Sequence, residues 1–285
     1  MKSLIASRLR YMPLAEVTGI IQSGANDAHT SKLQMVMFHA FAASDPAAEE
    51  QIQLAARSVR LHYPEAEILL LTNPEGDRAT LPGWIGRKSR PINLQQIMFE
   101  RTLAYRDHVK SVESGTRIVF LDTDMLVIRR FDELLTPGAD LSVTIRQILP
   151  APINGGLIIV DTTRHDSVAS FFDDLVRCYE RLPAAERRWD GDQTALKQLL
   201  DPPVRRITQI RVVERSGLVV RFAPAQVFNH TPRRLFLKLG LFRPGARLLH
   251  FKGGRKGRMA AYADRYLSPA YLAYLRLTGR AKGGR

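Results

Sequence analysis

Two carboxylates stand inside an apolar run. Residues 118–128 read Ile-Val-Phe-Leu-Asp-Thr-Asp-Met-Leu-Val-Ile, with Asp122 and Asp124 two positions apart. In a strand, residues i and i+2 share a face, so the pair points one way if the strand continues and sits together if it ends there. Close carboxylates resist joint ionisation unless a cation lies between them. Hard divalent ions take oxygen ligands, and Mg2+ or Mn2+ often bridges carboxylates to a phosphate. The chemistry expected is a metal–diphosphate site at the carboxyl end of a buried strand. The tripeptide alone says little, because the chain has 16 Asp and carries a second copy at Asp190-Gly191-Asp192. Context separates the two: carboxylates seldom interrupt a buried strand without a partner.

Three further patches could share that chemistry. Asn154-Gly155-Gly156 precedes the apolar run Leu157–Val160, and glycines allow backbone to approach a ligand closely; a simple turn is the alternative. Trp189-Asp190-Gly191-Asp192-Gln193 reads as a turn feeding a helix, with Asp192 as its N-cap. His250-Phe251-Lys252-Gly253-Gly254-Arg255-Lys256 sets an imidazole ahead of glycines and three cations, a set suited to metal and phosphate together.

The elements that must position these residues alternate. Lys32–Phe41 reads as a first strand. Pro46–His62 reads as a helix capped by Ser44 or Asp45, with Pro46 in its first turn. Ala66–Thr72 is a second strand, closed by Asn73-Pro74-Glu75-Gly76, and a helix is expected near Leu94–Val112. Arg117–Asp122, Leu141–Ile145, Gly156–Val160, Leu218–Phe222 and Arg247–Phe251 read as strands, and Asp166–Arg181 and Gln193–Leu200 as helices. Such alternation predicts an α/β fold with a mainly parallel sheet and helices on both faces. Ligands of such sheets bind outside the carboxyl ends of the strands, where the Asp pair lies. Neither Gly-x-Gly-x-x-Gly nor a P-loop motif occurs, which removes the main support for dinucleotide and P-loop readings.

Composition frames the rest. At 285 residues and 45% hydrophobic content the chain can build a sizeable core. No window reaches the roughly 18 apolar residues of a membrane span, and Met1-Lys2-Ser3-Leu4-Ile5 opens no long apolar signal region. Cys178 is the single cysteine, so a free thiol in a reducing cytoplasm is expected. The net charge is +14, and its distribution is uneven. Residues 231–285 carry 14 Lys or Arg and one acid, whereas the remaining 230 residues carry 28 bases and 27 acids. Such asymmetry points to an anionic partner or to a solvated basic face.

Taken together, Asp122-Thr123-Asp124, Asn154-Gly155-Gly156, Asp192-Gln193 and His250…Gly253…Lys256 resemble, in order and spacing, glycosyltransferase family 8, which includes glycogenin and bacterial lipopolysaccharide galactosyltransferases. The resemblance spans about residues 32–257. It implies a GT-A-type, Rossmann-like fold and a metal-dependent, retaining transfer of a hexose from a nucleotide-sugar, a UDP-sugar, to a glycan or lipid-linked acceptor. It implies Mn2+ or Mg2+ on Asp122, Asp124 and His250. Lys256 and the backbone near Gly253 would hold the diphosphate, with Arg101 contacting sugar and phosphate. Asn154 and Asp192 would contact the donor sugar, Gln193 would face its anomeric carbon, and the loop Ala42–Asp45 would face the base. The chain departs from the family where Lys256-Gly257-Arg258 replaces the common Lys-Pro-Trp.

Three parts are expected: a weakly structured segment 1–30, a catalytic domain 31–257 and a basic amphipathic tail 258–285. In the tail, tyrosines and leucines alternate with arginines, which suits peripheral contact with an anionic membrane at its inner face; the competing account packs them back onto the domain. Nucleic acid is not an expected partner. A sugar nucleotidyltransferase would show a Gly-rich basic loop after the first strand, and Ala42-Ala43-Ser44-Asp45 is not one. A non-enzymatic basic binding protein would leave Asp122 and Asp124 unexplained.

Overall fold

The computed structural model describes residues 32–146, 151–187, 189–203 and 207–277. The segment expected at 1–30 and the end of the tail, 278–285, lie outside them. In chain order the strands are β1 (Leu33–Phe38), β2 (Glu67–Thr72), β3 (Gly86–Ser89), β4 (Arg117–Leu121), β5 (Met125–Val127), β6 (Leu141–Ile145), β7 (Ile153–Asp161), β8 (Arg211–Arg215), β9 (Leu218–Pro224) and β10 (Leu248–His250). The helices used below are α1 (Pro46–His62), α2 (Pro74–Asp77), α3 (Ile97–Ser111), α4 (Asp132–Leu135), α5 (His165–Arg181), α6 (Gly191–Leu200), α7 (Ala225–Phe228), α8 (Arg234–Lys238), α9 (Met259–Tyr266) and α10 (Pro269–Leu277).

Eight strands form one sheet in the order β3-β2-β1-β4-β7-β6-β9-β8. The pairings β1–β2, β2–β3, β1–β4 and β6–β9 are parallel, while β7 and the edge strand β8 run against their neighbours. The sheet is therefore mainly parallel, with six strands running one way. β5 and β10 form a separate antiparallel pair.

The two faces of the sheet are covered by different helices, and period-two alternation assigns residues to each. Met35, Met37, Val119, Leu121 and Ile159 face one core, shared with α1, β5, β10 and α9. Val36, Ile118, Phe120, Ile158 and Val160 face the other, shared with α3, α5 and α6. Central strands buried on both faces read as unbroken apolar runs, which made β1, β2 and β4 legible. Asp45, not Ser44, caps α1: its Oδ1 accepts from Ala47 N (3.1 Å) and Ala48 N (3.0 Å).

The expected strand at Gly156–Val160 is longer, Ile153–Asp161, and carries an irregularity. Val143 of β6 is opposite Ile158, but the next residue, Thr144, is opposite Asn154. Residues 155–157 therefore bulge away from β6, while Leu157 still pairs with Leu121 of β4. No helix among the described residues is long and apolar enough to cross a membrane. Met259, Tyr262, Ala263, Tyr266 and Leu267, all within the expected tail, are buried in the core that contains β1.

Candidate active site

β4 stops at Leu121, one residue before Asp122. Asp122 N donates to Gly156 O (3.0 Å) and Met125 N donates to Asp122 O (3.2 Å), so a tight turn sets Asp122 and Asp124 side by side before β5. β10 pairs with β5 so that His250 is opposite Met125. This brings the imidazole to the carboxylates across more than a hundred residues of chain. His250 Nε2 lies 3.0 Å from Asp124 Oδ1 and 3.5 Å from Asp122 Oδ2. One ligand atom from each of the three residues lies within 4.8 Å of the others. Two carboxylates and one imidazole are a donor set suited to a divalent ion such as Mn2+ or Mg2+, so these residues fit the expected metal.

Gly156 makes the approach physically available. A Cβ built there would lie 2.5 Å from His250 Cε1 and 2.8 Å from Asp122 Oδ2. The β7 bulge and the missing side chain together let backbone lie directly against the triad. Burial pushes the Asp124 carboxyl up, but the hydrogen bond and charge of His250, with Lys256 and Lys252, outweigh burial and hold it at about 2.

On the other side, Arg101 projects from α3 and is buried. Its Nη1 donates to Asp122 Oδ1 at 2.8 Å and its Nη2 to Asp192 Oδ2. Burial alone would lower the Arg101 pKa; Asp192 and Asp122 reverse that and raise it. Arg101 thus ties the metal-side carboxylate to α6. Asp192 was expected to cap that helix. Instead Asp190 occupies the cap position, and Asp192 lies within the first turn, buried against Arg101. Its second oxygen, Oδ1, is buried with no hydrogen-bond partner among the described residues. A buried acceptor without a donor is costly, and a ligand hydroxyl would satisfy it.

Gln193 Nε2 donates to Asp190 Oδ1 (2.7 Å), and Gln193 Oε1 accepts from Arg146 Nη2 (3.3 Å) and Gly155 N (3.4 Å). Asn154 Oδ1 accepts from Lys252 Nζ (2.9 Å) and Gly156 N (3.3 Å). Lys252 has a lowered pKa because it is buried and close to Arg146. Lys256 lies 3.5 Å from Asp124 Oδ2, on a 3-10 turn, Gly253–Arg258. Gly253 has φ +56, and Cβ atoms at Gly253 and Gly254 would meet nothing within 4 Å, so this backbone borders open space. Just after β1, burial lowers the pKa of His39, with Asp45 opposing and Lys256 adding to that effect.

The residues singled out in the sequence therefore converge at one place. The sequence reading missed Asn229, Thr144 and Arg146, and gave Lys252 no role of its own. Asn229 Oδ1 lies 2.7 Å from His250 Nδ1, and Asn229 Nδ2 donates to Thr144 Oγ1 at 3.0 Å. Thr144 and Arg146 stand at and just past the end of β6, where the carboxyl-end rule could have flagged them. Asn229 lies in a loop with no sequence signal.

No protein-family model matches the sequence, and no curated protein matches it. Solved structures do. A glycosyltransferase involved in the glycosylation of the major capsid of PBCV-1 superposes with TM-score 0.51 at 11% identity, covering 81% of this chain and 98% of that one. The galactosyltransferase LgtC, solved with donor and acceptor sugar analogs, gives TM-score 0.51 at 17% identity over 81% of this chain and 95% of that one. The glycosyltransferase GlyE of Streptococcus pneumoniae TIGR4 gives 0.52 at 15% identity over 87% and 64%. At such identities the likeness is one of fold. The chain has the α/β fold of glycosyltransferases, the GT-A type expected from the four motifs.

Proposed function

We propose that this protein is a divalent-metal-dependent glycosyltransferase that moves a hexose from a UDP-sugar to a glycan or lipid-linked acceptor. The observation that carries the reading is the Asp122–Asp124–His250 cluster, with its ligand atoms within 4.8 Å of one another, set at strand ends of this fold. Asp122, Asp124 and His250 would hold Mn2+ or Mg2+, which when bound neutralises diphosphate charge as the leaving group departs. Lys256 binds the same diphosphate as a charge-assisted donor, and the open backbone at Gly253 and Gly254 lets the phosphates approach. Asp192 Oδ1 accepts from a donor-sugar hydroxyl, and Arg101 holds that carboxylate in position through its other oxygen. Asn154, steadied by Lys252, lines the sugar.

Gln193 faces the anomeric carbon. Its amide is a poor nucleophile, so a covalent glycosyl–enzyme route lacks its key group there. We therefore favour retention by front-face attack, with charge on the oxocarbenium-like sugar balanced by the departing diphosphate.

A thermal-shift panel of UDP-sugars with and without Mn2+, followed by a hydrolysis assay on the best donor, tests the reading. Stabilisation that requires both nucleotide and metal, and hydrolysis that vanishes in Asp124→Asn while the variant stays folded, are the expected results. Formation of UDP-sugar and pyrophosphate from UTP and a sugar 1-phosphate would instead make the protein a nucleotidyltransferase.

A further inference from the structure

Residues 233–243 form a surface hook that the catalytic reading leaves unexplained. Arg233, α8 and the following turn read Arg-Arg-Leu-Phe-Leu-Lys-Leu-Gly-Leu-Phe-Arg. Leu237 is buried and anchors the hook, whereas Leu235, Phe236, Leu239 and Leu241 are 65%, 36%, 57% and 41% exposed. Single exposed leucines are ordinary, but four large apolar side chains within seven residues mark a contact surface.

The hook is held from beneath by the tyrosines expected to be membrane anchors themselves. The Tyr262 hydroxyl donates to Leu241 O (2.6 Å), its one proton shared with Phe236 O (3.1 Å). Tyr266 donates to Gly240 O (2.5 Å), and Arg265 Nη1 donates to the same carbonyl (3.2 Å). Gly240, at φ +63, supplies the left-handed turn that reverses the chain there. The clamp fixes the hook's backbone and leaves its apolar side chains in water.

Charge decides what could cover it. Arg233, Arg234, Lys238 and Arg243 are exposed within the hook, and Asp264 is the one acid in residues 231–285. A second copy of this chain would bring like charges together. A nucleic acid would meet the cations but strand the leucines. A lipid surface bearing phosphates satisfies both, with apolar side chains at the headgroup–acyl boundary and cations on the phosphates. The hook is also joined to the site: His250 N donates to His230 O (2.8 Å), and Arg255 Nε donates to Pro232 O (3.2 Å).

We propose that residues 233–243 dock this protein reversibly on an anionic lipid bilayer, with Leu235, Phe236, Leu239 and Leu241 inserted and the four cations on lipid phosphates. Docking requires neither nucleotide nor metal, so it stands or falls separately from the glycosyltransferase reading.

Flotation of the full chain with vesicles of phosphatidylcholine alone, and of an equal mixture of phosphatidylcholine and phosphatidylglycerol, tests it. Binding is expected only to the mixed vesicles at low salt, weakening as salt rises toward about 0.5 M. The double variant Leu235→Ser/Leu239→Ser and the double variant Arg233→Glu/Arg234→Glu should each lower the bound fraction at least about tenfold. Both should keep the wild-type melting temperature and binding of UDP with Mn2+. Four results overturn the proposal: no binding to mixed vesicles; binding that both variants retain; variants that turn a dimer into a monomer without affecting vesicles; or binding that appears only after residues 1–31 are removed, which would make that segment the occupant.

Discussion

His250 Nδ1 lies 2.7 Å from Asn229 Oδ1, and this contact sets which face of the imidazole meets the carboxylates. A chain of donors and acceptors enforces it. Asn154 O can only accept, so Thr144 donates its hydroxyl there (3.0 Å) and must accept from Asn229 Nδ2. Asn229 therefore turns Oδ1 toward His250, whose Nδ1 must carry the proton. Nε2 is left facing Asp122 and Asp124, donating to Asp124 when protonated and offering its lone pair to a cation when not. All four residues are buried, so water cannot easily replace a lost partner.

Removing that orienting acceptor should weaken metal binding without touching a ligand. Asn229→Leu is expected to lower Mn2+ affinity by about 10–100-fold, as for other outer partners of metal-bound histidines. Titration of the variant with Mn2+, read by calorimetry, decides the matter; wild-type affinity would mean that the imidazole is held by packing alone.

A methyl group at Gly156 should be felt by two ligands at once. Gly156→Ala places its Cβ 2.5 Å from His250 Cε1 and 2.8 Å from Asp122 Oδ2. Overpacking of this kind costs about 1–3 kcal/mol of stability. Metal-dependent nucleotide binding should fall below detection in protein that still unfolds cooperatively. A variant that binds UDP and Mn2+ as well as wild type would show that the backbone yields there.

Lys256→Ala should weaken UDP binding by about 1.5–3 kcal/mol, the range for a charge-assisted hydrogen bond. Free uridine carries no phosphate, so its binding should barely change. Parallel calorimetry with the two ligands separates a phosphate contact from a general loss of the site; equal weakening of both would remove Lys256 from the diphosphate.

Acid should destabilise the fold through His108. Glu67 Oε2 accepts from Gln34 Nε2 (2.9 Å), which leaves Gln34 Oε1 to accept from His108 Nε2 (3.0 Å), while Lys88 donates to Nδ1 (3.4 Å). The neutral ring is fully satisfied. Burial first, then Lys88, lowers its pKa from 6.5 to about 4. A depressed value in the folded state means that the unfolded chain binds the proton more readily. The stabilisation is therefore complete above pH 6.5, lost as pH falls toward 4, and worth on the order of 3 kcal/mol at most. In urea titrations across that window, the stability gap between wild type and His108→Asn should narrow toward acid. A gap that stays constant would show that His108 does not titrate there.

Much of the fold was legible because central strands buried on both faces spell continuous apolar runs, as in Leu33–Phe38 and Arg117–Leu121. Edge strands do not. β3 reads Gly-Arg-Lys-Ser and β8 reads Arg-Val-Val-Glu-Arg; both are largely exposed and carry no pattern distinct from loop. The site was legible where chemistry and spacing coincide, at Asp122, Asp124 and His250. It was opaque where a residue acts through tertiary contact alone, as Asn229 does. Asp192 shows a third case: its local sequence fits a cap, and only the fold brings Arg101 close enough to claim it.

The antiparallel pairing of β5 with β10 also orders events in time. Asp122 and Asp124 can form their turn once β4 and β7 have paired, but His250 arrives only when the last strand docks beside β5. Contacts so distant in sequence carry a large loop-closure cost. The triad therefore needs a residue 126 positions downstream of Asp124, and a chain emerging from the ribosome cannot complete it until residue 250 is free to return. If the triad holds a metal as proposed, its affinity would report that the segment carrying His250 has joined the sheet, and a chain truncated before residue 250 would lack the third ligand.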